Sequence, residues 1–196
     1  FLQNIISCTT IRVFTNPQLI TEVQLMPNWT YNRVRVKGDD SKTIQEVKEL
    51  FEGENPFNTL IPEPDWTVTP LSELHEKNSI SVKRGELGEL PVQPDPNAKG
   101  WDCPKFASTG QQDDRWYDWR LKHWGTKWPA CEVKITQNDT DFLEVTFDTA
   151  WCPPEEICQA LRSKYENKSE QSYSNGLYIC VNWFYELEGE EGCGYL

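Results

Sequence analysis

The first clear pattern along the chain is an alternation of period two, Arg33-Val34-Arg35-Val36-Lys37, closed by Gly38. Charge at every second position with valine between predicts a half-buried strand over 32–37. The period then lengthens. Ile44, Val47, Leu50 and Phe51 recur at helical spacing, behind Ser41 as a cap and ahead of Gly53 as a stop.

Beyond Gly53 periodicity fades. Pro62, Pro64, Pro70, Pro91, Pro94, Pro96 and Pro104 break any long element across 54–112. Only a short helix over 72–77 and a strand over 79–83 are predicted there. Order returns at 115–124, a helix of about three turns capped by Asp113 or Asp114 and stopped by Gly125. Trp116, Trp119 and His123 share one of its faces; Tyr117, Leu121 and Trp124 share the next.

A hairpin follows. Cys131, Val133 and Ile135 alternate with Glu132, Lys134 and Thr136, a turn runs from Asn138 to Asp141, and Leu143, Val145 and Phe147 alternate with Glu144, Thr146 and Asp148. Pro153 or Pro154 at a first helical position, then Glu155 and Glu156, marks a helix start. Its buried face is Ile157, Ala160, Leu161 and Tyr165, and a polar stretch over 166–175 ends it. Residues 177–187 are apolar on both faces, as a central strand would be. After a turn at 189–192, residues 194–196 return as a short edge strand.

The order is strand, helix, insertion, two strands, helix, strand. It predicts an α+β, ferredoxin-like (split βαβ) antiparallel sheet with two helices on one face and a long Trp-rich insertion between the first helix and the second strand. The opposite face is expected to be covered by the insertion or by a partner, because Tyr178, Phe184 and the many Trp side chains cannot all be left wet. The single methionine, Met26, lies just ahead of the first strand. Residues 1–25 are therefore expected to be an upstream or extension segment. Residues 26–196 form one domain, with the insertion at about 54–129.

Charge narrows the partners. Against 31 Asp and Glu stand 19 Lys and Arg, a net charge of −12. That balance opposes contact with a phosphate backbone, and Arg33, Arg35 and Lys37 read as the wet face of a strand. The cluster Glu186, Glu188, Glu190 and Glu191 reads as solubility. No stretch approaches the roughly 20 apolar residues that span a bilayer, and the first 25 residues lack a signal-peptide pattern. A cytoplasmic location is expected, and glycosylation matches at Asn28, Asn138 and Asn167 carry little weight.

Seven cysteines, at 8, 103, 131, 152, 158, 180 and 193, include no Cys-x-x-Cys pair. Reduced thiols, no metal and no cofactor are the expectation.

Several segments resemble one family. Met26-Pro27-Asn28-Trp29 with Asn32-Arg33-Val34 and Gly38 is similar to the opening of the YubB-like proteins. Trp116-Tyr117-Asp118-Trp119-Arg120 and Trp124-Gly125-Thr126-Lys127-Trp128 resemble that family's most distinctive stretch. Phe147-Asp148-Thr149-Ala150-Trp151 before Pro153-Pro154 matches too, as does Glu191-Gly192-Cys193-Gly194. The resemblance runs from Met26 to the carboxy terminus with the middle insertion unmatched, and departs at Thr30, where members often carry Cys. It implies a ferredoxin-like domain, borne by plasmids and phages, with no assigned activity. "Ferredoxin-like" names a fold and implies no iron–sulfur cluster.

Three constellations could carry chemistry. On the aromatic helix, His123 with Asp118 could serve as a general base and Arg120 could bind an anion, although Asp118 and Lys122 also make an ordinary i,i+4 pair and the Trp residues most simply fill the core. At 148–151, Asp148 stands at the mouth of a pocket lined by Trp128 and Trp151, or else Asp148 or Thr149 bonds backbone amides at the turn. Cys152, before a helix start, and Cys158 read as ordinary thiols.

The preferred functional reading is a non-enzymatic accessory protein of a phage or plasmid, binding a host or phage protein through Trp116, Tyr117, Trp119, Arg120, Trp124, Lys127, Trp128 and Trp151. Trp, Tyr and Arg concentrate binding energy at interfaces. The alternative is a small-molecule or nucleotide-processing enzyme with Asp118, His123 and Asp148 around one pocket. A nucleic-acid-binding module ranks third, since no RNA-binding pattern of sheet aromatics is matched.

Overall fold

The computed structural model describes residues 28–72, 85–95, 103–173, 178–189 and 192–196. The strand expected at 79–83 and, apart from Ser72, the helix at 72–77 fall outside these residues, as does 1–25.

Strand β1 (Trp29–Gly38) leads into helix α1 (Ser41–Glu52), followed by the short α2 (Pro56–Leu60) and then α3 (Arg115–His123). The hairpin β2 (Cys131–Asn138) and β3 (Phe142–Ala150), helix α4 (Glu155–Tyr173) and strands β4 (Ile179–Leu187) and β5 (Cys193–Tyr195) complete the chain. The sheet is antiparallel in the order β2-β3-β1-β4-β5. Its first four strands have the ferredoxin-like arrangement, and β5 extends the edge beside β4.

Alternation places the core. Val34 and Val36 of β1, Leu143, Val145 and Phe147 of β3, and Ile179, Val181 and Trp183 of β4 all project to one face. Ile44, Val47, Leu50 and Phe51 of α1 and Ile157, Leu161 and Tyr165 of α4 pack onto them. Asp40, rather than Ser41, caps α1: its carboxylate accepts from the Lys42 and Thr43 amides, worth about 1 kcal/mol. Gly38 is required for a different reason. A Cβ there would collide with the Tyr178 carbonyl, so the β1–β4 approach admits only glycine.

Three expectations change. The polar residues after 166 continue α4 to Tyr173 rather than ending it. In β2 a bulge with Glu132 at φ +52 brings Cys131 into register with Asp148, reversing the alternation at that end of the strand. The described residues of the insertion, finally, leave much of the second sheet face uncovered. Trp124 is wholly buried, edge-on to Phe57, which itself packs edge-on to Phe147 of the core, and the Trp124 indole donates to the Ile61 carbonyl at 3.0 Å. The aromatic helix therefore extends the helical layer. On the opposite face Tyr31, Arg35, Lys37, Asn182 and Tyr195 are exposed.

The described part of the insertion has an anchor of its own. Arg115 is 1% exposed; its guanidinium pairs with Asp113 (2.8 and 2.9 Å), donates to the carbonyls of Thr69 and Trp66, and lies over the rings of Trp66 and Phe106.

Candidate functional site

The β3–α4 turn is built from a buried polar chain. Asn32 shares the inward phase of Val34 and Val36, yet it is an amide in the core. Its Nδ2 donates to Thr149 Oγ1 and to the Thr30 carbonyl, both at 2.9 Å, and its Oδ1 accepts the Trp183 indole N–H at 3.1 Å. The Thr149 hydroxyl donates to the Cys152 carbonyl at 2.8 Å, and the Cys152 thiol donates to the Gly125 carbonyl at 3.1 Å. Thr126, fully buried, donates to the Ala150 carbonyl at 3.0 Å. Gly125 sits at φ +78, and a Cβ there would strike Glu156. Asn32, Thr149, Cys152 and Thr126 each hold a partner, while the buried Thr30 hydroxyl and Glu156 Oε2 do not, and the loop after α3 is fastened to the turn after β3.

What this chain holds in place is an aromatic patch. Trp151 lies between the pinned Ala150 and Cys152, at φ +72, with its amide bonded to the Asn28 carbonyl. A bulky side chain in the left-handed region costs about 1–3 kcal/mol of local strain. Yet Trp151 is 47% exposed, so little burial offsets that cost. Lys127 places its Nζ 3.8 Å from the Trp151 ring centroid and 4.1 Å from that of Trp128, and Trp128 packs against Trp29 at 5.9 Å. Burial against these rings pushes the Lys127 ammonium below its usual value.

The remaining candidates separate. Arg120 is not a free anion site: it is stacked between Trp116 and Trp124, and Nε and Nη2 both donate to Glu63, at 2.9 and 2.6 Å. Trp116, Tyr117 and Trp119 are half-buried, while Trp124 belongs to the core and cannot form a contact surface. No ion pair joins Asp118 to Lys122, which stays exposed. His123 stacks on Trp119 at 4.5 Å. Burial, then Lys122, lower its pKa, against an opposing pull from Glu156. Asp148 lies in register with Tyr31 on the other sheet face. Burial raises its pKa, Lys134 opposes that, and Glu132 and Glu188 add to it. No hydrogen bond links Asp118, His123 and Asp148, and the groups acting on His123 and Asp148 are different.

Cys152 and Cys158 are not activated thiols. Burial and Glu156 raise the Cys152 thiol above its usual value, and burial pushes Cys158 up to about 11. Among the described residues no cluster of His, Cys, Asp and Glu could hold a metal ion, and no helix is long and apolar enough to cross a membrane.

Residues 130–180 match the family model described as the ferredoxin-like domain in Api92-like protein. The uncharacterized protein YubB of Escherichia coli (strain K12) is 33% identical over 67 residues, a stretch that is 33% of this chain and 46% of YubB. The likeness thus spans less than half of that relative. A crystal structure of protein api92 from Yersinia pseudotuberculosis is similar at 11% identity with a TM-score of 0.43, covering 87% of this chain and 93% of that one. The Api92-like match begins within the loop ahead of β2 and takes in the hairpin, the β3–α4 turn and the whole of α4. It supports the resemblance read from the sequence over this carboxy-terminal segment.

Two contributors escaped the sequence reading. Trp29 belongs to the patch, and the signal for it was that the alternation of β1 can be continued upstream of Asn32. Asn32 was signalled by its phase, polar in a run of inward valines.

Proposed function

We propose that the protein is a non-enzymatic binding module that contacts another protein through the patch formed by Trp29, Trp128 and Trp151 around Lys127. The observation that carries this reading is Trp151: large, 47% exposed and held in a strained backbone conformation beside the hydrogen-bonded chain of Asn32, Thr149 and Cys152. Exposed aromatics on a rigid support are what interfaces use as anchors, and backbone strain of this kind gathers at functional positions. Trp116, Tyr117 and Trp119, half-buried on α3, would form its rim. The likeness to YubB-like proteins supports the wider setting, an accessory protein of a phage or plasmid acting in the host cytoplasm. An enzyme built on Asp118, His123 and Asp148 has no hydrogen bond among the three to support it.

Affinity capture from bacterial lysate, with the wild type and Trp151→Ala as paired baits, tests this. A protein retained by the wild type and lost from the variant, at equal thermal stability, is the expected result. A retained set that is identical for both baits would overturn the reading.

A further inference from the structure

The patch has a chemistry more specific than apolar contact. An ammonium group lies within 4.1 Å of two indole centroids at once, with a third indole behind one of them. Two tryptophan faces converging on one cation make the geometry by which proteins select ammonium groups, because each ring face is the negative pole of a quadrupole. Here the chain supplies the cation itself. No carboxylate among the described residues forms an ion pair with Lys127, whose ammonium lies against the two ring faces instead. The chain as a whole carries a net charge of −12, which favours a basic partner, and beside the patch Glu188 accepts the Trp29 amide at 2.9 Å.

We infer that the two ring faces of Trp128 and Trp151 are a cation-binding site, occupied in the free protein by Lys127, and that they receive a lysine or methylated-lysine side chain from a basic segment of a partner protein. This rests on the binding-module reading and names the chemistry of what is bound. The incoming ammonium and Lys127 compete for the same two ring faces, so self-occupancy lowers the apparent affinity in proportion to the occupied fraction. The side chain of Lys127, released, is then free for a carboxylate of the partner or of the chain.

The test uses the full chain, its Lys127→Met and Lys127→Ala variants, and Lys127→Met combined with Trp151→Ala. The probes are N-acetyl-trimethyllysine amide and its neutral tert-butyl isostere, followed by indole N–H NMR shifts. Lys127→Met should bind the cationic probe about tenfold more tightly than the wild type, with shifts at Trp128 and Trp151, a change of the size a cation–π contact supplies. The isostere should bind no variant comparably, and the double variant should bind neither probe. Equal binding of probe and isostere, or no saturation by the cationic probe with either Lys127 variant folded, would overturn the inference. Those outcomes leave the lysate capture untouched. Loss of its Trp151 dependence would instead remove the binding-module reading while the ammonium titration stood.

Discussion

Trp151 and Trp124 are the same residue type with opposite duties. Trp124 is wholly buried and bonded to Ile61, so Trp124→Ala should cost about 3–5 kcal/mol in urea denaturation. Trp151 is half out in solvent at φ +72, and Trp151→Gly relieves the strain while deleting only partial burial. Its stability should stay within about 1 kcal/mol of the wild type, and partner binding should be lost. Asp148 gives the residue scale a pH signature. Its folded pKa is raised, chiefly by burial, so its contribution to stability is fully present below the unfolded carboxylate value and is lost as pH rises through the folded one. Asp148→Asn should therefore raise the urea midpoint at pH 7. That gain should vanish as the pH falls below about 4, where the wild-type carboxyl is protonated in both states. A gain unchanged at low pH would point to packing instead.

At the scale of elements, the strands and helices of the sheet layer were legible because each obeys one period. The valines of β1, the Leu143, Val145 and Phe147 set of β3 and the α1 stripe all fall on the core face that alternation assigned them. Where the pattern failed, tertiary contacts supplied what local sequence lacks. The bulge of β2 is invisible in its alternation because it depends on pairing with β3. The direction in which α3 packs could not be read from two adjoining aromatic stripes, since either can face a core; the Trp124–Phe57 contact and the Ile61 carbonyl decide it. Arg115 gave no sign of being buried, because an arginine beside two aspartates reads equally well as a solvated helix start. Yet it anchors α3 to the segment near Trp66 and Thr69. Arg115→Ala leaves Asp113 buried without its cation and should cost about 3–5 kcal/mol, measured by chemical denaturation. A loss below about 1 kcal/mol, the range of surface pairs, would show that the insertion is held by other contacts.

For the whole molecule, the fold separates support from contact. The helical layer and one sheet face share a single core, and the polar chain from Trp183 through Asn32, Thr149 and Cys152 carries that rigidity out to the β3–α4 turn. The candidate site was only partly legible beforehand. Trp128, Lys127 and Trp151 stood out by composition, but nothing in the sequence showed that the lysine would lie on both rings or that Trp29 would join them. The second sheet face, with Arg33 over Phe184 and Tyr195 beside it, is the rival surface. Nine tryptophans make the choice between the two measurable. Indole N–H resonances recorded while the captured partner is titrated into the labelled protein should shift at Trp29, Trp128 and Trp151 and stay fixed at the buried Trp124 and Trp183. A saturating titration that leaves those three indoles unmoved would contradict a contact surface at the β3–α4 turn.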